Sequence, residues 1–530
     1  MTRKGFTTAS FCHQMCSYGF FAEQIPACFS SSSFASKYPE LDSLVKKPIV
    51  TAPVSLSIYK TKTSRRIVSA ANPYAFACAA KYMGEHRKQI FQLARSENSE
   101  SPVTFIHYYN EDEDEVINSE LARNARRARS DFRKNLRNRI NIAMGYRFRL
   151  ALDISTFYDS IYTHSVVWAV CGKRDAKKMH FQTGAKKTAS YTFADNLDVR
   201  MRNQKNQETS GILTGPFTSR IFSEILMAAI DVDLRDRGFN FRRYVDDYKF
   251  YFRSEPEAQK AIVDISKVLA EYSLSINQSK IEIAEYPFDL ESRMKERLDA
   301  ALEISVYSAL MEAGRLYLEG EKGAYKYALK MLRNREIPDE DFAPVLSMLF
   351  NINLLDPRYA RYIVSYLEQS KSAMGVQRLA EIINRELDRS LQDGYDQEVL
   401  NLLFFLRAIN LEIEGSLLLG ALDMENDFID VIALDFWTNR NDLVNKSSNE
   451  AHEIDRAVGK IADELRRETV DGEHWLLIYE AKAHSLLDIG EFSGKTADFF
   501  AAMLDQGVSF YCPELKQPIL VHEAFLDEVG

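Results

Sequence analysis

Two adjacent aspartates in a short turn are the residues of this chain best suited to chemistry. Residues 244–247 read Tyr-Val-Asp-Asp and are flanked on both sides by β-favouring residues, which predicts a strand, a tight turn and a returning strand. Two carboxylates at a hairpin tip repel each other, and a divalent cation between them would offset that repulsion. Because acidic pairs are also common in solvated turns, the tetrapeptide alone leaves both interpretations open.

A third aspartate upstream favours the metal interpretation. Residues 149–153 form a largely apolar run that ends in Asp153, which predicts a second strand with a carboxylate at its end. Three carboxylates on neighbouring strand ends, Asp153, Asp246 and Asp247, can hold two Mg²⁺ ions, with Mn²⁺ as an alternative. Two such ions support in-line nucleotidyl transfer, because one activates the attacking hydroxyl group and the other neutralises the leaving pyrophosphate.

The charge of the chain is divided unevenly. Residues 1–290 contain 42 basic and 32 acidic residues, whereas residues 291–530 contain 25 basic and 44 acidic residues. A polyanion should therefore bind residues 1–290. The acidic residues 291–530 are better suited to forming the walls of the molecule, to regulation or to contacts between copies of the chain. Six scattered cysteines favour a reducing cytoplasm, and no run approaches the roughly 20 apolar residues that would cross a membrane.

The pattern along the chain predicts an α+β protein with three regions. Residues 1–50 read as a segment of short helices and loops that packs on the core of the second region. Residues 51–290 alternate strands with helices, and residues 291–530 show helical periodicity in segments of about 10 to 20 residues with almost no strand signal. Successive helix pairs of this kind predict an all-α helical-repeat domain.

Four segments in this order resemble the palm motifs of reverse transcriptases, over about residues 54–285. The resemblance implies that residues 51–290 are the fingers and palm. It also implies that Asp153, the backbone carbonyl group of Ile154, and Asp246 bind the metal ions, while Asp247 supports them.

The same resemblance assigns further residues to the nucleotide. Tyr158 falls where an aromatic ring excludes a ribose 2′-hydroxyl group, so deoxynucleotides (dNTPs) are the implied substrate; a packed core tyrosine is the alternative. Gly215 lies in a turn that opens a predicted helix and lets backbone approach the incoming base. Lys280 matches a lysine proposed to protonate pyrophosphate, although it can equally be an exposed lysine. Arg65, followed by Arg66, occupies the place of the basic fingers residues that grip the triphosphate.

The details resemble one branch, the abortive-infection (Abi) reverse transcriptases of bacteria, and most closely the Abi-P2 type. The matching features are the run 158–165, Trp168, Gly172 and Lys173, Thr214 with Gly215, Ser219 to Ile221, Glu224, and a helical C-terminal half. This branch implies a HEAT-like solenoid in place of a thumb. It also implies a cytoplasmic antiphage enzyme, homo-oligomeric in some members, that makes single-stranded DNA without a template from a protein tyrosine and leaves the product covalently attached.

The sequence leaves the priming residue and two other functions open. Tyr18 and Tyr38 are candidate priming residues because a mobile N-terminal segment could deliver a hydroxyl group; both could instead be packed aromatics. One alternative function is an RNA-templated reverse transcriptase with a separate RNA partner. Another is a catalytically inert palm that serves as a sensor, against which the three intact carboxylates argue.

Overall fold

The computed structural model describes residues 7–61, 63–100, 134–182, 187–288, 293–332, 335, 337–364, 366 and 376–516. These residues form a mostly helical α+β fold, which confirms the predicted class. The strands form one four-stranded sheet and two two-stranded pairs. Within the described ranges, no helix is both long enough and apolar enough to span a membrane.

A β-hairpin and two helices follow the N-terminal segment. Strands β1 (Val54–Thr61) and β2 (Ser64–Ala70) pair antiparallel, as the alternating sequence of residues 54–59 predicts. Helix α3 (Pro73–Glu85) begins at a proline, and the side chain of Asn72 accepts a hydrogen bond from the Tyr74 backbone N–H at 3.0 Å. Helix α4 (Arg87–Leu93) follows directly.

The central sheet is antiparallel and has the strand order β4-β5-β3-β6. Strand β3 lies in the middle because it pairs with β5 on one side and with β6 on the other. Leu150, Leu152 and Phe250 are buried, so one face of the sheet packs on helices. The strands are β3 (Phe148–Asp153), β4 (Phe241–Tyr244), β5 (Asp247–Phe252) and β6 (Glu282–Glu285).

Among the described residues, six helices accompany this sheet, and the longest of them is α9. Gly215 and Pro216 end the loop that precedes α9. Apolar residues recur along the buried face of α9. The helices are α5 (Phe157–Ser160), α6 (Ser165–Cys171), α7 (Lys173–His180), α8 (Ala189–Asn203), α9 (Phe217–Asp236) and α10 (Glu255–Glu271).

The C-terminal half is almost entirely helical. Its helices are α11 (Met294–Leu302), α12 (Val306–Leu318), α13 (Ala324–Leu332), α14 (Asp339–Leu355), α15 (Val376–Asp393), α16 (Asp396–Ala408), α17 (Gly415–Leu422), α18 (Asp427–Asn439), α19 (Ser448–Leu465), α20 (Trp475–Ala483) and α21 (Ala497–Asp505). Two short parallel strands, β7 (Ile413–Glu414) and β8 (Val444–Asn445), are also present. Helix α15 contacts α17, which contacts α19, and α16 contacts α18, which contacts α20, so these helices form two layers.

The N-terminal segment lies between the two halves of the chain. Its helices are α1 (Thr8–Tyr18) and α2 (Ser32–Leu41), and α1 contacts α3 and α9. Phe20 stacks on Phe510 with ring centroids 5.2 Å apart, and the Ser33 hydroxyl group donates to the Ser509 carbonyl oxygen at 2.6 Å. The segment therefore packs on the C-terminal half as well as on the region that follows it.

The main hydrophobic core is continuous across residue 290. It includes buried residues of the N-terminal segment, the sheet and α9, and most of the C-terminal helices. A smaller cluster of Leu298, Ala313, Leu316, Ala324 and Ala328 holds α11 to α13 together. Burial of apolar surface thus joins the two halves of the chain.

We expect Gly215→Ala to destabilise the protein by about 1–3 kcal/mol in denaturant unfolding. Gly215 has φ +130°, and an added Cβ would lie 2.9 Å from the Ser69 carbonyl oxygen. The matched control is Gly459→Ala in α19, where an added Cβ has open space. That control should gain about 0.5–1 kcal/mol, and equal effects of the two substitutions would contradict the packing argument.

Candidate active site

Three carboxylates meet at one edge of the central sheet. Asp153 ends β3, Asp247 begins β5, and the two residues are directly paired in the antiparallel register. Asp246 occupies the turn between β4 and β5. Each of the three residues offers a carboxylate oxygen, and these oxygens lie within 4.8 Å of one another. The structure therefore brings together the three aspartates that the sequence predicts as a metal site.

The turn that carries Asp246 has an unfavourable backbone conformation. Tyr244 pairs with Asp247, so the hairpin closes through the two residues Val245 and Asp246. Val245 has φ +55°, a left-handed conformation that a β-branched residue rarely adopts. Such strain costs about 1–3 kcal/mol and persists only where surrounding contacts enforce it.

A buried guanidinium group enforces this turn. Arg243 is 0% exposed, and its Nη1 donates to the Val245 carbonyl oxygen at 2.8 Å. The same side chain donates to both carboxylate oxygens of Asp231, at 2.9 and 3.0 Å, and to Glu224 at 3.1 and 3.3 Å. Burial alone would lower the pKa of Arg243, but Asp231 and Glu224 raise it well above its ordinary value. Arg243 is therefore a permanent cation inside the protein.

The remaining contacts of this buried cluster fix the strands around it. The Tyr248 hydroxyl group donates to Asp231 at 3.1 Å. On the outer side of β4, the Arg243 backbone N–H donates to the Asn98 carbonyl oxygen at 2.9 Å, and the Glu100 N–H donates to the Arg243 carbonyl oxygen at 2.7 Å. The edge of β4 is thus covered by chain, which leaves the hairpin little freedom to shift.

The aspartates repel one another electrostatically. Burial, followed by the nearby Asp247, raises the pKa of Asp246 to about 6. Burial and Asp153 also raise the pKa of Asp247. Close carboxylates resist simultaneous ionisation unless a cation shares the site.

Lys280 supplies one positive charge to the cluster. Its Nζ lies 2.8 Å from Asp153 Oδ2, and the hydrogen bond with Asp153 raises the pKa of Lys280. Asn277 holds the same carboxylate, because its Nδ2 donates to Asp153 Oδ2 at 3.1 Å and its backbone N–H donates to the Asp153 carbonyl oxygen at 2.8 Å. An all-oxygen donor set that already attracts an ammonium group fits a hard divalent cation such as Mg²⁺.

Tyr158 lies beside the acidic cluster. Its side chain is half-buried near Ser223 on α9, and burial raises the pKa of its hydroxyl group, with Asp246 close enough to contribute. Ile154, which follows Asp153, is buried and forms an isolated β-bridge with Ile276. The structure thus places both residues next to the aspartates.

The predicted triphosphate-binding residues of the fingers have other neighbours. Arg65 donates to both carboxylate oxygens of Glu398 on α16, at 2.7 and 2.6 Å, and its guanidinium group lies over the ring of Tyr395. Arg66 is exposed on β2. Gly215 packs against Ser69, whose backbone N–H donates to the Thr214 carbonyl oxygen at 2.8 Å. Gly215 therefore lies where the start of α9 contacts β2 of the β1–β2 hairpin.

The two candidate priming tyrosines differ in their surroundings. Tyr38 is buried, its hydroxyl group donates to Asp42 at 2.9 Å, and burial raises its pKa far above the ordinary value. Tyr18 ends α1, is half-buried and lines a small cavity with Phe21 and Ser31.

Sequence reasoning did not identify Arg243, Asp231 or Asn277 as parts of the site. The sequence did contain a signal for Arg243. It lies two residues after Phe241 on the same strand, so both side chains face the buried side of β4. Glu224 and Asp231 are seven residues apart on one face of a mostly apolar helix, which also indicates a buried cation. Asn277 carries no comparable pattern.

Comparison with known proteins identifies one domain. The family model described as "Reverse transcriptase (RNA-dependent DNA polymerase)" matches residues 109–300. The chain therefore contains a reverse transcriptase domain, and this domain includes all three aspartates. No curated protein matches the chain.

Among solved structures, similarity is weak. The chain is 13% identical to telomerase from Candida albicans in complex with a telomeric RNA fragment, over 65% of this chain and 68% of that one, with a TM-score of 0.25. It is also 13% identical to apo telomerase from Candida tropicalis, over 77% of this chain and 73% of that one, with a TM-score of 0.28. Values this low support no transfer of function.

We expect Arg243→Ala to lower the free energy of unfolding by about 3–5 kcal/mol, because it leaves two buried carboxylates without a cation. Tyr248→Phe removes one hydrogen bond from the same cluster and should cost about 1 kcal/mol. Urea unfolding of the three proteins measures both effects. Wild-type stability of Arg243→Ala would show that the cluster does not hold the hairpin.

We expect metal-free protein to lose stability as the pH rises from 3.8 to about 6, relative to Asp246→Asn. Folding raises the pKa of Asp246, so the folded state binds its proton more tightly, and this advantage disappears as the pH passes the folded pKa. Mg²⁺ should raise the unfolding temperature of the wild type more at pH 8 than at pH 5, because protons compete for the same oxygens. A Mg²⁺ effect of equal size in Asp246→Asn would contradict this assignment.

Proposed function

We propose that this protein is a DNA polymerase of the reverse transcriptase type that joins dNTPs by two-metal nucleotidyl transfer. The observation that carries the proposal is the meeting of Asp153, Asp246 and Asp247 at one edge of the sheet, inside a reverse transcriptase domain. Mg²⁺ is the expected ion, with Mn²⁺ as an alternative. Asp153, the Ile154 carbonyl group and Asp246 would hold the ions, and Asp247 would add negative charge beside them.

When bound, the ions supply charge neutralisation at the phosphates and a lower pKa for the attacking hydroxyl group. The protein's own residues position the reactants. Tyr158, which lies near Ser223 and Asp246, would place its ring against C2′ of the incoming sugar and so select deoxynucleotides. A ring fixed by a packed helix discriminates better than a mobile one, because it cannot move aside for an extra oxygen.

Lys280 would act on the leaving group. Its side chain is 59% exposed although its ammonium group is paired with Asp153, so it can turn toward a phosphate without unfolding its surroundings. In that position it would donate a proton to the departing pyrophosphate. Arg65 and Arg66 would grip the triphosphate, which requires Arg65 to release Glu398, and Gly215 would keep the backbone close to the incoming nucleotide.

We further propose the abortive-infection mode of action, in which a bacterial cell uses the enzyme against phage. In this mode single-stranded DNA grows from a protein tyrosine without a template and stays covalently attached. The C-terminal half supports the proposal because it binds the β1–β2 hairpin, the predicted fingers, directly. Asp396 and Gln397 on α16 accept hydrogen bonds from the Ser57 and Tyr59 backbone N–H groups at 3.2 and 2.8 Å. Its two layers of helices are the arrangement that a HEAT-like repeat replacing a thumb would have.

Tyr18 is the better of the two priming candidates. Its side chain is half-buried at the end of α1, whereas Tyr38 is buried and bonded to Asp42. A hydroxyl group that must reach the metal site is more easily delivered from a helix end than from a core position. Homo-oligomer formation belongs to the same proposal and could bring Tyr18 of one copy to the aspartates of another.

The second candidate is an RNA-templated reverse transcriptase with a separate RNA partner. The description of the matched family as an RNA-dependent DNA polymerase favours it. The two candidates differ in one respect that can be measured, namely whether added RNA determines the sequence of the product.

Purified protein is incubated with Mg²⁺ and labelled dNTPs, without template or primer, and is run on a denaturing gel before and after protease digestion. The label should migrate with the protein before digestion and be released from it afterwards. Asp246→Ala should reduce the label to background, because the metal site loses a ligand. Tyr18→Phe should also remove it if Tyr18 primes, and Tyr38→Phe is the matched control.

Label that appears only with added RNA, and that follows its sequence, would replace this mechanism with the templated one. Full labelling of Asp246→Ala would overturn the assignment of the active site itself. Loss of label in Tyr38→Phe, with label retained in Tyr18→Phe, would assign priming to Tyr38 and leave the polymerase assignment unchanged.

A further inference from the structure

A cavity of about 260 Å³, where the N-terminal segment meets the C-terminal half, is lined by several cations. Its charged lining residues are Lys322, Lys326, Arg358, Arg361 and Glu23. Residues 291–530 contain 25 basic and 44 acidic residues, so the charge of this lining is opposite to that of the region around it. The aspartates, Tyr158, Lys280 and the arginines assigned to the triphosphate do not line it. The cavity is therefore separate from the candidate active site, and its charge attracts anions.

Two neighbouring elements supply the cations. Lys326 lies on α13, and Lys322 and Gly323 immediately precede that helix. Arg358 lies in the helical turn Pro357–Tyr359, and Arg361 follows it by three residues. Because Gly323 lines the cavity, the N-terminal end of α13, which carries partial positive charge, lies at the cavity wall.

The cations of the cavity are neutralised to different degrees. Arg358 donates to both carboxylate oxygens of the buried Asp356, at 2.8 and 2.6 Å, and this pair is electrically neutral. The Lys326 Nζ and the Arg361 Nη2 lie 3.8 and 3.9 Å from the Glu23 carboxylate, which is longer than a hydrogen bond. With Arg358 matched, three cations share one carboxylate among the described residues that line the cavity.

The buried cation of this group is held more firmly than the carboxylate beside it. The Arg361 side chain is 7% exposed, its Nη1 donates to the Glu23 backbone carbonyl oxygen, and its guanidinium group lies over the Tyr362 ring. The Glu23 side chain is 51% exposed, so its carboxylate can turn into solvent without unfolding its surroundings. A phosphate group in its place would accept short charge-assisted hydrogen bonds from the same ammonium and guanidinium groups.

We propose that this cavity binds a phosphate group, which displaces the Glu23 carboxylate from Lys326 and Arg361. The volume is below the roughly 300–1,000 Å³ of sites that enclose a whole small molecule, so it admits a phosphate or pyrophosphate group rather than a complete nucleotide. The phosphate has two sources, namely a free pyrophosphate or nucleotide, and the backbone of single-stranded DNA.

The position of Glu23 connects the cavity with a strand that begins at Tyr18. Glu23 also lines the small cavity that contains Tyr18, so the two cavities meet at this residue. Gly19, next to Tyr18, accepts a hydrogen bond from the Phe217 backbone N–H at 2.7 Å at the start of α9. DNA attached to Tyr18 would therefore have these cations within reach. This source rests on the proposed function, whereas the phosphate site itself rests on charge and geometry.

Binding is measured in EDTA, so that neither a metal ion nor catalysis contributes. Inorganic pyrophosphate is titrated into the full-length protein by calorimetry. A short fluorescein-labelled oligo(dT) is titrated separately by fluorescence anisotropy at several salt concentrations. The unfolding temperature of each variant is measured alongside, so that a loss of binding is not mistaken for a loss of fold.

The decisive variant combines Lys322→Gln with Lys326→Gln, which removes two cations and leaves Arg361 in place. It should weaken phosphate binding about tenfold, because charge-assisted hydrogen bonds are lost. The matched control combines Lys460→Gln with Lys495→Gln, two exposed lysines of the same acidic half that lie outside the cavity, and should keep its affinity. Glu23→Gln should bind about threefold more tightly, because the competing carboxylate is gone.

The two ligands distinguish the two sources. If the lysine variant binds oligo(dT) more weakly, a DNA strand is the ligand, and the slope of log K against log salt should fall by about 0.7 for each phosphate contact that is lost. A loss confined to pyrophosphate identifies a free phosphate group.

Three results would overturn the proposal. The first is unchanged affinity of the lysine variant for both ligands. The second is an equal loss in the control, which would mean a general effect of net charge. The third is weaker binding by folded Glu23→Gln, which would contradict the displacement of the carboxylate. Protein that binds phosphate through these lysines but incorporates no dNTPs would refute the proposed function alone, so the two failures are distinguishable.

Discussion

A guanidinium group without access to water holds the hairpin that carries Asp246 and Asp247. Arg243 binds Asp231 and Glu224 on α9 and the Val245 carbonyl oxygen in the turn. Burying a cation is costly unless opposite charge lies beside it and its donors are satisfied, and here two carboxylates and a carbonyl oxygen accept its hydrogen bonds. The strained backbone at Val245, and with it the position of Asp246, follows from this one interaction. The position of the candidate metal site therefore depends on the contact between α9 and β4.

The second constraint is the contact between the β1–β2 hairpin and α16. Strand β1 pairs with β2 along one edge, and its other edge would expose unpaired N–H groups. Asp396 and Gln397 accept hydrogen bonds from that edge, and Glu398 pairs with Arg65 on β2. The C-terminal half thus covers the free edge of β1. The main hydrophobic core also includes buried residues of both halves, so the hairpin and the C-terminal helices share one packed interior.

The sequence predicted those features that depend on local patterns. The run 149–153, the turn at residues 244–247 and the strand at residues 54–59 are recognisable from alternation and turn chemistry, and the structure confirms their secondary structure. Which residues pair with one another when they lie far apart in the sequence was not predictable. Arg65 pairs with Glu398, which is 333 residues away, and Ser33 pairs with Ser509, which is 476 residues away. No periodicity encodes such pairs, since they arise from how the packed elements meet.

The most direct test of the account is anomalous diffraction from crystals of the protein grown with Mn²⁺ and a non-hydrolysable dNTP. We predict Mn²⁺ peaks within bonding distance of the Asp153 and Asp246 carboxylates, with the sugar of the nucleotide against Tyr158. Such a result would establish the acidic cluster as the metal site of a nucleotidyl transferase. Mn²⁺ and nucleotide bound elsewhere, with no peak between these carboxylates, would contradict the central claim.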